Sequence, residues 1–164
     1  MARYLATRVL ARLEVLSPKD WAEVIAQELS VVATSPYAAE DNAAVAERAQ
    51  HDDPAARALL MMRGALYAAR ESAIIEGRSK GAKRLQGVLS ALLKAAATDE
   101  GSKALPMSAW LDALGKEDPD AAKSLDAILT KGGPITLPPS ALGPCYRAGV
   151  GEYVAFDAGF DKAG

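Results

Sequence analysis

Residues 54–76, PAARALLMMRGALYAARESAIIE, form the longest uninterrupted helical pattern in this sequence. Asp53 supplies a cap side chain, and Pro54 follows at the first helical position, where its missing N–H costs no hydrogen bond. An apolar stripe at helical spacing runs through Leu59, Met62, Leu66, Ala69 and Ala73. Gly77 then interrupts the pattern. The stretch predicts a long helix with one apolar face.

The same pairing of a cap residue with proline occurs at Ser17-Pro18, Ser35-Pro36 and Asp118-Pro119. A first helix is indicated by the apolar spacing from Tyr4 to Leu16. The further predicted helices cover about residues 18–33, 36–50, 54–76, 82–98, 106–114 and 119–130. Residues 82–98 have the cleanest amphipathic pattern, and they pair with 54–76 as an antiparallel αα-hairpin. The sequence predicts an all-α, Ala-rich bundle of five to seven helices.

Composition points to one compact body with a modest core. The chain has 164 residues, of which 50% are hydrophobic but only 5% aromatic, so alanine makes up much of the apolar fraction. Alanine lets helices approach closely but buries little area per residue. This favours burial of further surface against a partner or in an oligomer.

The sequence predicts a cytoplasmic protein, or one built into an assembly in the cytoplasm. A single cysteine excludes an internal disulfide framework and makes a reducing compartment the default. No apolar run approaches the roughly 18–20 residues of a membrane span. Arg8, Arg12 and Glu14 interrupt any signal-peptide core at the N-terminus.

The composition changes at Gly132-Gly133-Pro134, which divides the chain into a helical body, 1–131, and an extended arm, 132–164. The arm is rich in Gly and Pro and holds four of the nine aromatic residues, which are Tyr146, Tyr153, Phe156 and Phe160. Residues 152–156 give the one good strand signal in the chain. Such a strand pairs within the arm, lies on the body or adds to a partner's sheet. We expect these aromatic residues to bind a partner, although an arm that wraps its own bundle fits the sequence equally well.

A basic turn, defined as residues 78–84, follows the long helix and contains Arg78, Lys80, Lys83 and Arg84 with no acidic residue. It is not a Walker loop, because Ala82 follows the second glycine and a helix precedes the turn. The turn suits an anion, either a nucleic-acid phosphate or an acidic protein surface. An ordinary solvated turn is the alternative.

Charge alternates along the helical body. Residues 40–53 carry −4, residues 57–94 carry +6 and residues 99–131 carry −3. Two interpretations remain open: neighbouring helices neutralise one another, or the basic hairpin presents itself to an acidic partner.

No constellation of residues predicts catalysis, a metal or a cofactor. His51 and Cys145 are the only residues of their kinds, and neither lies in a catalytic or zinc-binding motif. Arg63, Tyr67 and Arg70 share a helical face that suits phosphate and base contacts, but packing is the commoner use of such a face. The sequence therefore predicts a protein that is not an enzyme.

These features favour a non-enzymatic assembly or adaptor subunit that docks on other protein subunits through its arm and its helical faces. Ala-rich helical bodies with extended arms are common among subunits of large assemblies such as virus particles, an analogy of architecture alone. The alternative is a small nucleic-acid-binding regulator that uses the basic turn. The net charge of −2 and the lack of a basic recognition helix count against that alternative.

Overall fold

A computed structural model describes residues 1–97 and 105–143, together with the backbone of two strands at 146–149 and 155–158. Within these residues the expected all-α bundle is confirmed. Its helices are α1 (Ala2–Arg12), α2 (Pro18–Thr34), α3 (Asn42–Gln50), α4 (Pro54–Arg78), α5 (Leu85–Ala97), α6 (Met107–Gly115) and α7 (Ala121–Leu125), and α7 continues into a π-helical segment, Asp126–Thr130.

Two of the predicted helix starts have the expected cap. Ser17 Oγ accepts a hydrogen bond from Asp20 N at 3.2 Å, and Asp20 Oδ2 accepts one from Ser17 N at 3.0 Å, which closes a reciprocal capping box. Asp53 Oδ1 accepts hydrogen bonds from the first two free N–H groups that follow Pro54, at 2.9 and 3.1 Å. These caps set the first residues of α2 and α4.

The other two cap-proline starts were wrong. Ser35 ends α2, and the chain after Pro36 forms turns before α3 begins at Asn42, capped by the Asp41 side chain. The carbonyls of Ala38 and Glu40 accept hydrogen bonds from Arg63, so they are not available to a helix that begins at Pro36. Tertiary contacts override the local signal there.

The start predicted at Asp118-Pro119 was also wrong. Asp118 Oδ1 accepts the expected cap hydrogen bond from Asp120 N at 3.2 Å, but Ala121 N donates to the Asp118 carbonyl at 3.0 Å, so residues 118–120 form a turn and α7 begins only at Ala121. α1 likewise ends earlier than its apolar pattern, at Arg12, shortly before Glu14 adopts a φ of 58°. The α5 helix begins at Leu85, because Lys83 N donates to Ser79 Oγ in the preceding turn.

The core surrounds α4, which packs against α1, α2, α3 and α5. Its buried alanines, Ala65, Ala68 and Ala69, let the neighbouring helices approach closely. Larger apolar side chains such as Trp21 and Leu66 fill the main core, and a smaller cluster lies between α3 and α4. None of the described helices is both long enough and apolar enough to cross a lipid bilayer.

The segment 132–143 lies on the body of its own chain. Gly132 has a φ of 65°, and an added Cβ there would lie 2.3 Å from the Glu40 carbonyl oxygen, so the turn requires glycine. Beyond it, Ile135, Leu137 and Leu142 pack against the main core. The change of composition at Gly132 thus marks a tight turn onto the bundle.

Two short strands follow. β1 (Tyr146–Gly149) pairs antiparallel with β2 (Ala155–Ala158), with Ala148 opposite Phe156, and β2 runs beside α2. The described part of the predicted strand at 152–156 therefore pairs within the arm and lies against the body. The division of the chain at residue 131 stays a prediction.

Candidate functional site

The basic turn connects α4 to α5 at the surface of the bundle. Arg78 is the last residue of α4, and all four cations of the turn are exposed. Lys80 has a φ of 51°, a left-handed conformation that is uncommon for a residue with a side chain, and the glycine after it continues the turn with a φ of 83°. The backbone thus reverses direction tightly and keeps the cations outward.

Two of the four cations pair with acids of the same chain. Lys83 Nζ lies 2.8 Å from both Glu117 carboxylate oxygens, and Arg78 Nη1 lies 3.3 Å from Asp118 Oδ1. Lys80 and Arg84 make no ion pair within the part of the chain that the structure describes. Ion pairs with the acidic segment that follows the hairpin therefore neutralise two of the four cations of the basic turn.

Behind the turn, two buried carboxyl groups meet between α4 and the connection from α6 to α7. Glu71 is fully buried, Asp118 is 2% exposed, and Arg70 Nη1 lies 2.5 Å from Glu71 Oε1. Burial raises the pKa of Glu71 to about 7; Asp118 adds to this rise, and Arg70 opposes it. Raised carboxyl pKa values also occur in active sites, but no substrate reaches a group with no exposed surface. Glu71 and Asp118 thus bring α4 and the connection from α6 to α7 together inside the core.

The face of α4 that carries Arg63, Tyr67 and Arg70 is used for packing, the interpretation that the sequence favoured. Arg63 is fully buried and donates hydrogen bonds to the carbonyls of Glu40 (2.9 Å) and Ala38 (2.7 Å) and to Asn42 Oδ1 (2.9 Å). The Tyr67 hydroxyl donates to the Ala121 carbonyl at 3.3 Å. Neither Arg63 nor Tyr67 faces solvent where a phosphate or a base would bind.

A groove with a volume of about 680 Å³ lies beside the basic turn, between α5, α6 and the end of α1. Its floor is apolar and includes Val88, Ala91, Leu92 and Ala113, and four cations surround it: Arg12, Lys83, Arg84 and Lys116. We call this feature the α5–α6 groove. The sequence does not predict this groove, because Arg12 and Lys116 are distant along the chain and only the fold brings them together.

Large apolar side chains are exposed in two further areas. The end of α1 and the residues after it expose Val9, Leu10, Leu13 and Val15, at 50%, 41%, 67% and 65%. The end of α5, the residue at 105 and the first residue of α6 form the second area, where Leu93, Leu105 and Met107 are exposed at 64%, 42% and 59%. Val9 and Leu13 belong to the apolar pattern of the first predicted helix, yet the fold leaves them uncovered.

The aromatic residues predicted to bind a partner fall in the arm beyond residue 143. Tyr146 and Phe156 lie on β1 and β2 as backbone positions, whereas Tyr153 and Phe160 lie outside the described residues, as does Cys145. His51 is an exposed residue at the end of α3. The described residues contain no group of three or more side chains suited to holding a metal ion.

The chain matches no protein-family model, and no curated protein is significantly similar to it. Three surface features of the bundle are candidates for a functional role: a partly neutralised basic turn, a cation-lined apolar groove and two exposed apolar areas.

Proposed function

We propose that this protein is a non-enzymatic assembly or adaptor subunit that docks on neighbouring protein subunits through its helical faces and its C-terminal arm. The observation that carries the proposal is the exposed apolar surface at the end of α1 and between the end of α5 and the start of α6. Val9 and Leu13 lie one helical turn apart with at least half of each side chain exposed, at 50% and 67%. Contiguous exposed apolar surface is typical of protein interaction sites.

Burying one large apolar side chain contributes about 1.5–3 kcal/mol, so a partner that covers several of these exposed residues gains a substantial part of its binding free energy from them. An Ala-rich core supplies little area of its own, which raises the benefit of covering such surface on a neighbour.

The arm offers a second mode of docking. β1 and β2 form a two-stranded sheet, so among the described strands each has one edge without a strand beside it. Such edges accept a strand from another chain by backbone hydrogen bonding. The proposed contacts are Tyr146 and Phe156, which are positions on these strands, together with Tyr153 and Phe160, which are near them in the sequence.

A nucleic-acid-binding regulator is the second candidate, favoured by Lys80 and Arg84, which remain exposed and without an ion pair among the described residues. The pairing of Arg78 with Asp118 and of Lys83 with Glu117 reduces the charge that the turn offers to phosphate. Assembly with other protein subunits is therefore the stronger proposal.

The molecular mass in solution, measured by light scattering with and without duplex DNA, tests the two candidates. We expect a concentration-dependent increase in mass, which the double substitution Val9→Glu and Leu13→Glu abolishes while helical circular dichroism is retained. Ala2→Glu with Ala6→Glu is the matched control, because both alanines are exposed on the same helix at the same spacing. A DNA-shifted species would favour the regulator, and an inert monomer would contradict both candidates.

A further inference from the structure

We propose that the α5–α6 groove is a receptor for an acidic amphipathic helix of a partner protein. This inference rests on the proposed function, since it names the partner chemistry of one docking surface. The groove differs from the exposed area at the end of α1 because it is concave and because it combines an apolar floor with a cationic rim.

The floor of the groove has room for a partner's side chains. Val88 and Leu92 lie along it, and small residues between and opposite them leave space above it, including Ala91 and Ala113. At Gly87 an added Cβ would meet no atom within 4 Å, so the floor is open there. The α5 helix thus contributes Val88 and Leu92, which are partly buried, and the exposed Ala91 to the floor of an open groove.

The rim selects the charge of the partner. The groove is lined by four cations and one carboxylate, Glu117, so it has a net charge of +3 in a chain whose overall charge is −2. Glu117 is held by Lys83, whereas Arg12, Arg84 and Lys116 form no ion pair among the described residues. Complementary potentials steer association and reject partners of like charge. A partner with glutamates or aspartates beside its apolar residues fits this rim.

The dimensions favour a helix. The lining residues on α5 run from Gln86 to Ala95, which at 1.5 Å per residue is about 14 Å, or between two and three helical turns. An amphipathic helix places its apolar residues at this spacing on one face and its acidic residues on the flanks.

Other ligand classes fit the groove less well. Binding of single-stranded nucleic acid uses aromatic side chains on which bases stack, and the groove is lined by no aromatic residue among those described. A membrane surface favours apolar residues that protrude between the lipid headgroups, whereas here the apolar residues lie at the bottom of a concavity. An acidic helix matches both the floor and the rim.

The direct test uses a fluorescein-labelled synthetic peptide of about 15 residues, with leucine on one helical face and glutamate on the others, titrated with the full-length protein and followed by anisotropy. We expect saturable binding that weakens as salt is raised. Two control peptides share its length: one has the same composition in scrambled order, and one has lysine in place of glutamate. Both are expected to bind at least about tenfold more weakly.

Substitutions then locate the bound peptide. Gly87→Leu fills the floor and is expected to weaken binding about tenfold or more, while Gly77→Leu is the matched control, because that helical glycine also has open space but lies outside the groove. Arg84→Glu with Lys116→Glu is expected to weaken binding by about tenfold and to reduce its salt dependence. All three variants alter exposed residues, and circular dichroism checks that they fold.

Equal binding of the scrambled peptide would overturn the inference, and so would undiminished binding to Gly87→Leu. The inference would also be wrong if duplex DNA or phosphatidylserine vesicles bound more tightly than the peptide and were weakened to the same extent by Arg84→Glu with Lys116→Glu. Failure of the groove is distinguishable from failure of the proposed function. If Val9→Glu with Leu13→Glu abolishes assembly while the acidic peptide does not bind, the protein remains a docking subunit and only the groove assignment is wrong.

Discussion

Helices α4 and α5 are neighbours in the chain, yet the one with the cleaner amphipathic pattern is the less buried. Twelve of the 25 residues of α4 are buried, but only Leu85 among the 13 residues of α5. α4 packs against four other helices, whereas α5 lies at the edge of the bundle. Helical periodicity identifies which face is apolar, but it does not determine whether the same chain covers that face.

The two helices also differ in where they place charge. α4 buries Arg63 and Glu71, and each is held by hydrogen bonds or an ion pair to another group of the chain. α5 buries no charged residue and exposes Leu93 at 64%. α4 therefore holds the fold together, whereas α5 leaves apolar surface exposed at the edge of the bundle. The predictions that follow test this difference.

Substituting the buried arginine of α4 is expected to have the largest effect. Arg63→Met removes the donor for two loop carbonyls and the Asn42 side chain, and leaving a buried acceptor unpaired costs about 1–3 kcal/mol for each one. The free energy of unfolding, from urea titration, measures the loss. Arg57→Met is the control, because Arg57 is exposed and its loss should cost no more than about 1 kcal/mol. Equal losses for the two variants would refute the anchoring role of Arg63.

Leucine truncation compares the two helices directly. Leu66→Ala in α4 removes a fully buried side chain and should lower the free energy of unfolding by about 2–5 kcal/mol. Leu93→Ala in α5 removes a side chain that is 64% exposed and should change it by no more than about 0.5 kcal/mol. Urea denaturation of both variants is the measurement. A loss of several kcal/mol at Leu93 would show that α5 is covered after all.

The buried carboxyl of α4 makes stability depend on pH. The pKa of Glu71 is about 7 in the folded protein against an ordinary value of 4.5, so folding favours its protonated form. Its contribution is complete below about pH 4.5 and is lost as pH rises through 7, with a total of at most about 3 kcal/mol. Glu71→Gln should remove this part of the pH dependence between pH 5 and 8.

The measurement is the difference in unfolding free energy between the natural protein and Glu71→Gln across that pH range. Taking the difference removes the contribution of Glu28, whose pKa is also raised by burial and which both proteins retain. Asp112→Asn serves as the control, because Asp112 is an exposed carboxyl on α6. A difference between the natural protein and Glu71→Gln that does not change with pH would show that Glu71 is charged in the core at all pH values tested.

The sequence predicted the fold where local signals and tertiary contacts agree. Ser17 and Asp53 cap the helices that their side chains predicted, and Asp53 does so although its second carboxylate oxygen also accepts a hydrogen bond from the Tyr37 hydroxyl. Asp118 accepts the cap hydrogen bond from Asp120 N, yet residues 118–120 form a turn, and the same carboxylate is also bound by Arg78 from the end of α4. A residue's partners across the bundle decide such cases, and they are not visible in its sequence neighbours.

The candidate site was predictable only in part for the same reason. Four cations within the basic turn are evident in the sequence, but their pairing with Glu117 and Asp118 depends on how α6 and the following turn pack beside α5. The groove joins Arg12 from the first helix to Lys116 from the sixth, which no local pattern reveals. The charge blocks of the sequence, +6 in residues 57–94 and −3 in residues 99–131, were the available signal for this pairing.

The smallest expected effect concerns the basic turn itself. Lys83→Met removes the ion pair with Glu117, and because the lysine side chain is 59% exposed we expect a loss of no more than about 1 kcal/mol in unfolding free energy. Lys80→Met removes an exposed cation without an ion pair among the described residues and should cost still less. Thermal melts at low and high salt measure both, and the difference between the variants should shrink at high salt because ions screen the pair. A salt-independent loss well above 1 kcal/mol for Lys83→Met would mean that the turn belongs to the rigid framework alongside α4 and is not a surface free to engage a partner.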